Sequence, residues 1–154
     1  MSSILKSVPL RNLAKYKPTP ADFRSSNHYY FYGWATSDEV LTKLLIKHNI
    51  SVPKDSMYAR VRAIRHLEKL SGYPFICHVY GKVDSEGEAH GRVIHTEEGP
   101  ALDVLAISCT RSRRLFWRRP TTKELDALIE LLGEEPRWIE DYETKENFVL
   151  ELME

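Results

Sequence analysis

The sequence has only two cysteines, no net charge and no long apolar run, and each shortage excludes a class of protein. Two cysteines among 154 residues are too few for a disulfide scaffold or a four-cysteine zinc site. Twenty-two basic residues balance 22 acidic ones, which argues against a dedicated polyanion binder but is compatible with a local basic patch. No apolar run approaches the roughly 20 residues of a membrane-spanning helix.

Length and composition indicate one globular domain. A chain of 154 residues with 42% hydrophobic and 29% charged residues can bury a sizeable core. Cys77 and Cys109 both lie in apolar, strand-like runs, so we expect buried free thiols that behave as small hydrophobic side chains. Residues 1–20 show no apolar core of a secretory signal, which predicts a cytoplasmic protein.

The hydrophobic pattern predicts an α+β fold. Its expected sheet is mixed or antiparallel, has about four to five strands and is packed by three helices. Residues 84–91 read as a polar loop, and stripes such as Val61, Ile64, Leu67 and Leu70 should face the sheet. The predicted helices are 37–48, 56–70 and 120–132, and the predicted strands are 29–32, 75–83, 92–96, 101–109 and 138–139.

The two ends carry opposite charge, which sets the predicted boundaries. Residues 1–26 form a basic N-terminal arm, 27–142 the α+β domain and 143–154 an acidic C-terminal tail in this division. The first 24 residues hold five basic side chains and one acid, and residues 134–154 hold eight acids and two basic side chains. A transit peptide is an alternative interpretation of the N-terminal arm. At the other end, residues 148–152 are a candidate final strand.

The first candidate site is the aromatic segment 27–34. A strand that runs into a glycine turn and then a helix start presents backbone N–H groups to an anion, and neighbouring rings suit a small-molecule pocket. The alternative is that these rings are core or cross-strand partners. The candidate ligand-binding residues are His28, Tyr30, Tyr32, Gly33 and Trp34, with Gly33 expected to end the strand.

Two segments of the sequence resemble known proteins. Residues 30–33 and 37–41 resemble the first strand, loop and helix of the gamma-glutamylcyclotransferase-like family, over about 16 residues. That resemblance implies a glutamyl-binding loop at Tyr32 and Gly33, and it assigns no residue to the family's glutamate base. Residues 118–138 are similar to uncharacterised small proteins of mushroom-forming fungi, which implies a shared fold and no activity.

The second candidate site is an arginine cluster in residues 111–119. Phe116 and Trp117 lie between its arginines, a combination that grips phosphates, stacks on bases or pairs with carboxylates. The acidic tail makes pairing within the chain or with a second copy the leading interpretation, and an acidic partner, a small anion or a nucleic acid are the alternatives. Its members are Arg111, Arg113, Arg114, Arg118 and Arg119.

A third group has no diagnostic spacing and consists of His78, His90, His95, Glu86, Glu88, Glu97 and Glu98. No metal-ligand motif, nucleophile elbow or glycine-rich phosphate loop is present, so neither a metal nor a cofactor is predicted. The leading hypothesis is therefore a non-catalytic protein that binds a small molecule or a protein partner near Tyr32 and Gly33. A homo-oligomer held by the arginine cluster is compatible with this hypothesis, no membrane association is expected, and a nucleic-acid partner is disfavoured. The first alternative is a small gamma-glutamylcyclotransferase-like enzyme, and the second is an arginine-driven nucleic-acid binder.

Overall fold

A computed structural model describes residues 25–147, within which five strands and five helices are complete. Predictions for the basic arm up to residue 24 and for a strand at 148–152 lie outside the described residues. In chain order the elements are β1 (His28–Trp34), α1 (Asp38–Lys47), α2 (Ser56–Ser71), β2 (Cys77–Gly81), α3 (Ser85–His90), β3 (Val93–Thr96), β4 (Gly99–Cys109), α4 (Arg113–Trp117), α5 (Thr122–Leu132) and β5 (Arg137–Thr144).

The predicted α+β fold is confirmed. The five strands form one sheet in which every pairing is antiparallel. β4 is the central strand, as its apolar composition predicted. β5 continues to Thr144, so residues 143 and 144, assigned by sequence to the tail, lie in the sheet.

Local signals explain the helix boundaries. Ser37 caps α1, and Asp55 caps α2 through the backbone N–H groups of Met57 and Tyr58. Thr121 and Glu124 form a capping box at the start of α5, and Gly133 ends that helix in the left-handed conformation. The three long helices predicted by sequence therefore begin and end close to their expected positions.

Three local predictions were wrong. β1 continues through Gly33 to Trp34 instead of ending at the glycine. Residues 85–90 form α3 instead of a loop, because Asp84 caps the segment and Gly87 fits closely against Leu102. The arginine-rich segment, for which no element was predicted, contains α4, capped by Ser112.

The sheet curls so far that four of its strands form a closed circuit of pairings. β1 pairs with β4 and β5, and β2 also pairs with β4 and β5. Between Tyr32 and Gly33 the register shifts by one residue, so that β4 bulges at Ile107. At this crossing a methyl group on Gly33 would lie 1.9 Å from the carbonyl oxygen of Leu105, so the close approach requires glycine.

Each face of the curled sheet has its own core. The outer face packs against α1, α2 and α5. Its strands contribute four buried aromatic side chains to this core: Tyr30, Tyr32, Trp34 and Trp138. The inner face is smaller and aliphatic for the most part. Its buried members are Phe31, Ala35, Leu102, Val104, Ala106, Cys109 and Ile139.

A buried ion pair lies inside the outer core. Asp103 of β4 is fully buried, and its carboxylate lies 3.5 Å from Nε of Arg60 on α2 and 3.0 Å from Nε2 of His78 on β2. Nε of Arg92 lies 3.4 Å away, and Arg60 also donates to the carbonyl oxygen of Thr36 at 2.9 Å. We call Asp103, Arg60, His78 and Arg92 the Asp103 network.

Truncation of Leu128 tests the predicted face of α5. Leu128 is fully buried, so Leu128→Ala should lower the free energy of unfolding by about 2–5 kcal/mol in urea titrations. Glu130→Ala, at an exposed position of the same helix, should change it by no more than about 0.5 kcal/mol. Equal effects of the two substitutions would contradict the packing described.

Neutralisation of Asp103 tests the network. Asp103→Asn keeps the shape but leaves the buried guanidinium of Arg60 without its charge partner in β4. We expect a loss of about 3–5 kcal/mol in the free energy of unfolding at neutral pH. The control is Glu39→Gln, which breaks an exposed ion pair with Lys43 and should cost about 0.5 kcal/mol or less. A loss from Asp103→Asn as small as the control's would show that the network contributes little.

Candidate functional site

The arginine cluster lies at the end of the sheet where β4 leaves it. α4 begins four residues after β4, and Tyr73 holds the segment in place by donating to the carbonyl oxygens of Ile107 and Arg118, at 3.0 and 2.8 Å. Burial raises the pKa of the Tyr73 hydroxyl well above its usual range, so it stays a donor. An open groove of about 890 Å³ runs along this segment. We call the groove residues Arg113, Arg114, Trp117, Arg118 and Phe75 the arginine surface.

The arginines of the protein divide into paired and unpaired groups. Arg111 forms an ion pair with Asp141 of the acid-rich segment at 2.7 Å, which is the kind of internal pairing that the sequence predicted. Arg113, Arg114 and Arg118, by contrast, form no ion pair within residues 25–147. Pairing with acids of residues 25–147 is therefore not observed for these three, and pairing with a second copy stays a prediction.

One acid lies among the residues lining this groove, but it is already engaged. Glu124 accepts a hydrogen bond from the backbone N–H of Thr121 at 2.8 Å in the capping box of α5. It forms no ion pair with the groove's arginines. The groove is therefore a predominantly cationic surface.

Aromatic rings stack against the guanidinium groups of Arg118 and Arg119 and limit their conformational freedom. Arg118 lies over the ring of Phe75 at 4.4 Å, and Arg119 lies over Phe116 at 4.3 Å and Trp117 at 4.9 Å. Arg119 is buried, which lowers its pKa to about 10 and leaves it charged at neutral pH. Phe75 and Trp117 remain 45% and 38% exposed, so both rings can contact a partner.

An apolar pocket of about 90 Å³ opens beside the arginine surface, on the inner face of the sheet. Its lining includes Phe31, Val79, Ala106 and Leu115. Phe75 and Arg118 line both the pocket and the groove, so the two cavities are neighbours. The guanidinium of Arg111 lies 4.9 Å over the ring of Phe31 at the pocket's other side.

Both cysteines line this apolar pocket as free thiols, as predicted. Their environments differ, because Cys77 is exposed whereas Cys109 is buried, and burial raises the pKa of Cys109 to about 11. The sequence-based expectation that both are buried was wrong for Cys77. Cys77 pairs with Ala106, so Cys109 lies three residues further along β4, a spacing of roughly 10 Å along the strand, which is too long for a disulfide.

The aromatic residues of the first predicted site belong to the outer core. Tyr32 packs against Trp138 with ring centroids 4.9 Å apart, and Tyr30 donates to Glu140 at 3.0 Å. Trp34 is 1% exposed and donates from Nε1 to the carbonyl oxygen of Glu134 at 2.8 Å. Nδ1 of His28 lies 3.0 Å from the carbonyl oxygen of Glu143, and Gly33 serves the close strand crossing. These residues therefore have structural roles, and their rings fill the outer core.

A small pocket does lie beside Gly33. Its lining includes Glu86, His90 and Glu134, so carboxylates are present at the loop that resembles the gamma-glutamylcyclotransferase-like family. Burial, with a smaller contribution from Glu86, raises the pKa of Glu134. The pocket measures about 20 Å³, however, which is room for a water molecule or two and not for a glutamyl group. The enzyme hypothesis stays a prediction from the sequence.

The histidine and glutamate group does not form one site. His78 joins the Asp103 network, His90 lies at the small pocket, and His95 is exposed on β3. Among residues 25–147, no three His, Cys, Asp or Glu side chains are placed to hold a metal ion. No helix in this range is long and apolar enough to cross a membrane.

Comparisons with protein-family models, with curated proteins and with solved structures found no match, so the geometry of the chain itself must carry the functional argument.

Sequence reasoning missed the pocket and the network. Arg60 lies four residues before Ile64 and seven before Leu67, on the buried face of α2. This helical spacing could have identified Arg60 as a buried charge. The isolated charge of Asp103 in an apolar strand was a second signal. No sequence signal placed Phe75 beside Arg118, because their contact joins segments 43 positions apart.

The cysteine environments predict a large difference in reactivity. With iodoacetamide at pH 8, Cys77 should react quickly, whereas only about a thousandth of Cys109 is thiolate at this pH. Mass spectrometry should show one modified cysteine in the native protein and two in urea. Cys77→Ser should remove the fast reaction. Rapid modification of Cys109 in the native variant would contradict the burial described.

Proposed function

We propose that this protein is a binding module that recognises an anionic partner through the arginine surface. The observation that supports the proposal is the contrast among the arginines. Arg60, Arg92, Arg111 and Arg137 all form ion pairs with carboxylates, whereas Arg113, Arg114 and Arg118 lie together and form no ion pair in residues 25–147.

Physical chemistry favours a binding role for such an arrangement. Like charges on one short helix repel one another, and an anion that bridges them removes that repulsion. Guanidinium groups offer paired N–H donors that match carboxylate and phosphate oxygens. The stacking of Arg118 on Phe75 limits its freedom, so less conformational entropy is lost on binding.

The proposal keeps the binding role expected from the sequence and places it elsewhere. The sequence favoured the aromatic segment around Tyr32 and Gly33, whose rings fill the outer core. The arginine surface has what that segment lacks, namely exposed rings beside exposed cations and a groove open to solvent.

Charge removal on α4 tests the proposal. The probes are an oligoglutamate peptide and a single-stranded thymidine oligonucleotide, titrated at low and at about 0.15 M ionic strength. We expect at least one probe to bind, and Arg113→Gln with Arg114→Gln to weaken that binding about tenfold because two charge-assisted contacts are lost. Heat denaturation should show that the variant remains folded.

The matched control is Arg65→Gln with Lys69→Gln, which removes the same charge from exposed positions of α2. This control should leave the affinity nearly unchanged at physiological ionic strength. Equal weakening by the two double variants would indicate only a general attraction to positive charge and would overturn the proposal. So would the absence of binding to both probes.

A further inference from the structure

We infer that the apolar pocket takes a hydrocarbon side chain of the anionic partner, and that this partner is an acidic peptide segment with an aromatic or aliphatic residue among its acids. The inference rests on the proposed function and names the partner class. It depends on one juxtaposition: the pocket and the cationic groove share Phe75 and Arg118.

Apart from Arg118 at the rim, the polar groups of the pocket are engaged within the protein. The hydroxyl of Ser108 donates to the carbonyl oxygen of Phe116 at 2.9 Å, and Sγ of Cys109 accepts from the backbone N–H of Arg111 at 3.2 Å. The guanidinium of Arg111 is held by Asp141 through two hydrogen bonds. A group that enters the pocket therefore meets carbon and sulfur atoms and few free hydrogen-bonding groups.

This chemistry discriminates between partner classes. A nucleobase in the pocket would lose the hydration of its polar edges without new hydrogen bonds, which is costly. A phenyl or isobutyl group loses nothing of that kind and gains burial of its apolar surface. At about 90 Å³ the pocket is smaller than the closed cavities of about 150 Å³ that bind benzene, but it is open to solvent, so it can take an isobutyl group or the end of a phenyl ring.

The geometry also fixes where the acids should lie. Successive residues of an extended peptide are about 3.3 Å apart, so a residue one or two positions from the anchor reaches the rim of the pocket. Arg118 lies at that rim, and Arg113 and Arg114 line the adjoining groove. A peptide with acids on either side of one apolar residue is thus complementary in both charge and shape.

A peptide comparison tests the inference with the unmodified full chain. The first probe is an acetylated, amidated pentapeptide with one phenylalanine between two pairs of glutamates. The second probe has glycine in place of phenylalanine, and the third has glutamines in place of the glutamates. We expect the first to bind at least about tenfold more tightly than either of the others.

Cys77 provides a second, independent readout, because it is exposed and lines the pocket. The phenylalanine peptide at saturation should slow the alkylation of Cys77 severalfold, and the glycine peptide should slow it less. A thymidine oligonucleotide should leave the alkylation rate unchanged, since its bases would stack on the exposed ring of Trp117, which lines the groove and not the pocket. Tight oligonucleotide binding that protects Cys77 would overturn the choice of a peptide.

A larger side chain that fills the pocket provides the matched variant. Val79→Phe should reduce the affinity for the phenylalanine peptide to that of the glycine peptide, and Val52→Phe, at a 38% exposed position, should not. If Val79→Phe does not fold, the peptide pair on the unmodified chain decides alone. Equal affinities for the two peptides would overturn the inference and leave the arginine surface as a general anion site. No binding of either peptide or of the oligonucleotide would overturn the proposed function as well.

Discussion

A buried carboxylate in the central strand constrains the arrangement of the whole domain. Asp103 is fully enclosed, so its charge must be compensated from within the fold. Arg60 of α2, His78 of β2 and Arg92 before β3 all reach it, and Arg60 and Arg92 also contact Asp38 at the start of α1. Two helices, two strands and the residue before β3 thus meet in one charged network, which ties α1 and α2 to the sheet.

The opposite end of β4 is free of that constraint, and the candidate site lies there. The bulge at Ile107 turns the strand, and Tyr73 ties the following segment back to it. α4 therefore leaves the sheet with its arginines exposed, beside the inner face that the three long helices do not cover. Four arginines of residues 25–147 lie beside acids of the fold, whereas Arg113, Arg114 and Arg118 lie at one rim, where rings and an apolar pocket adjoin them.

Local sequence signals were sufficient for the three long helices and for the approximate positions of the five strands. Thr121, Glu124 and Gly133 predicted the ends of α5, and the apolar composition of residues 101–109 predicted the central strand. Predictions that depend on tertiary packing were less accurate. Leu70 of α2 is 41% exposed because a strict three-residue spacing drifts off a helix face of 3.6 residues per turn. The glycines of residues 84–91 indicated a loop, but the capped segment folds as α3.

The sequence by itself determined the fold class, the order of the main elements and the presence of an arginine cluster, because each depends on residues close together in the chain. Only the tertiary structure decided that the rings of residues 30–34 fill the core and that, within residues 25–147, Arg111 has an ion-pair partner whereas Arg113 and Arg114 have none. It also decided that Phe75 lies beneath Arg118. The physical reason is the same in each case: burial and ion pairing depend on which distant strands meet, and the curled sheet brings together segments whose separation in sequence carries no local signal.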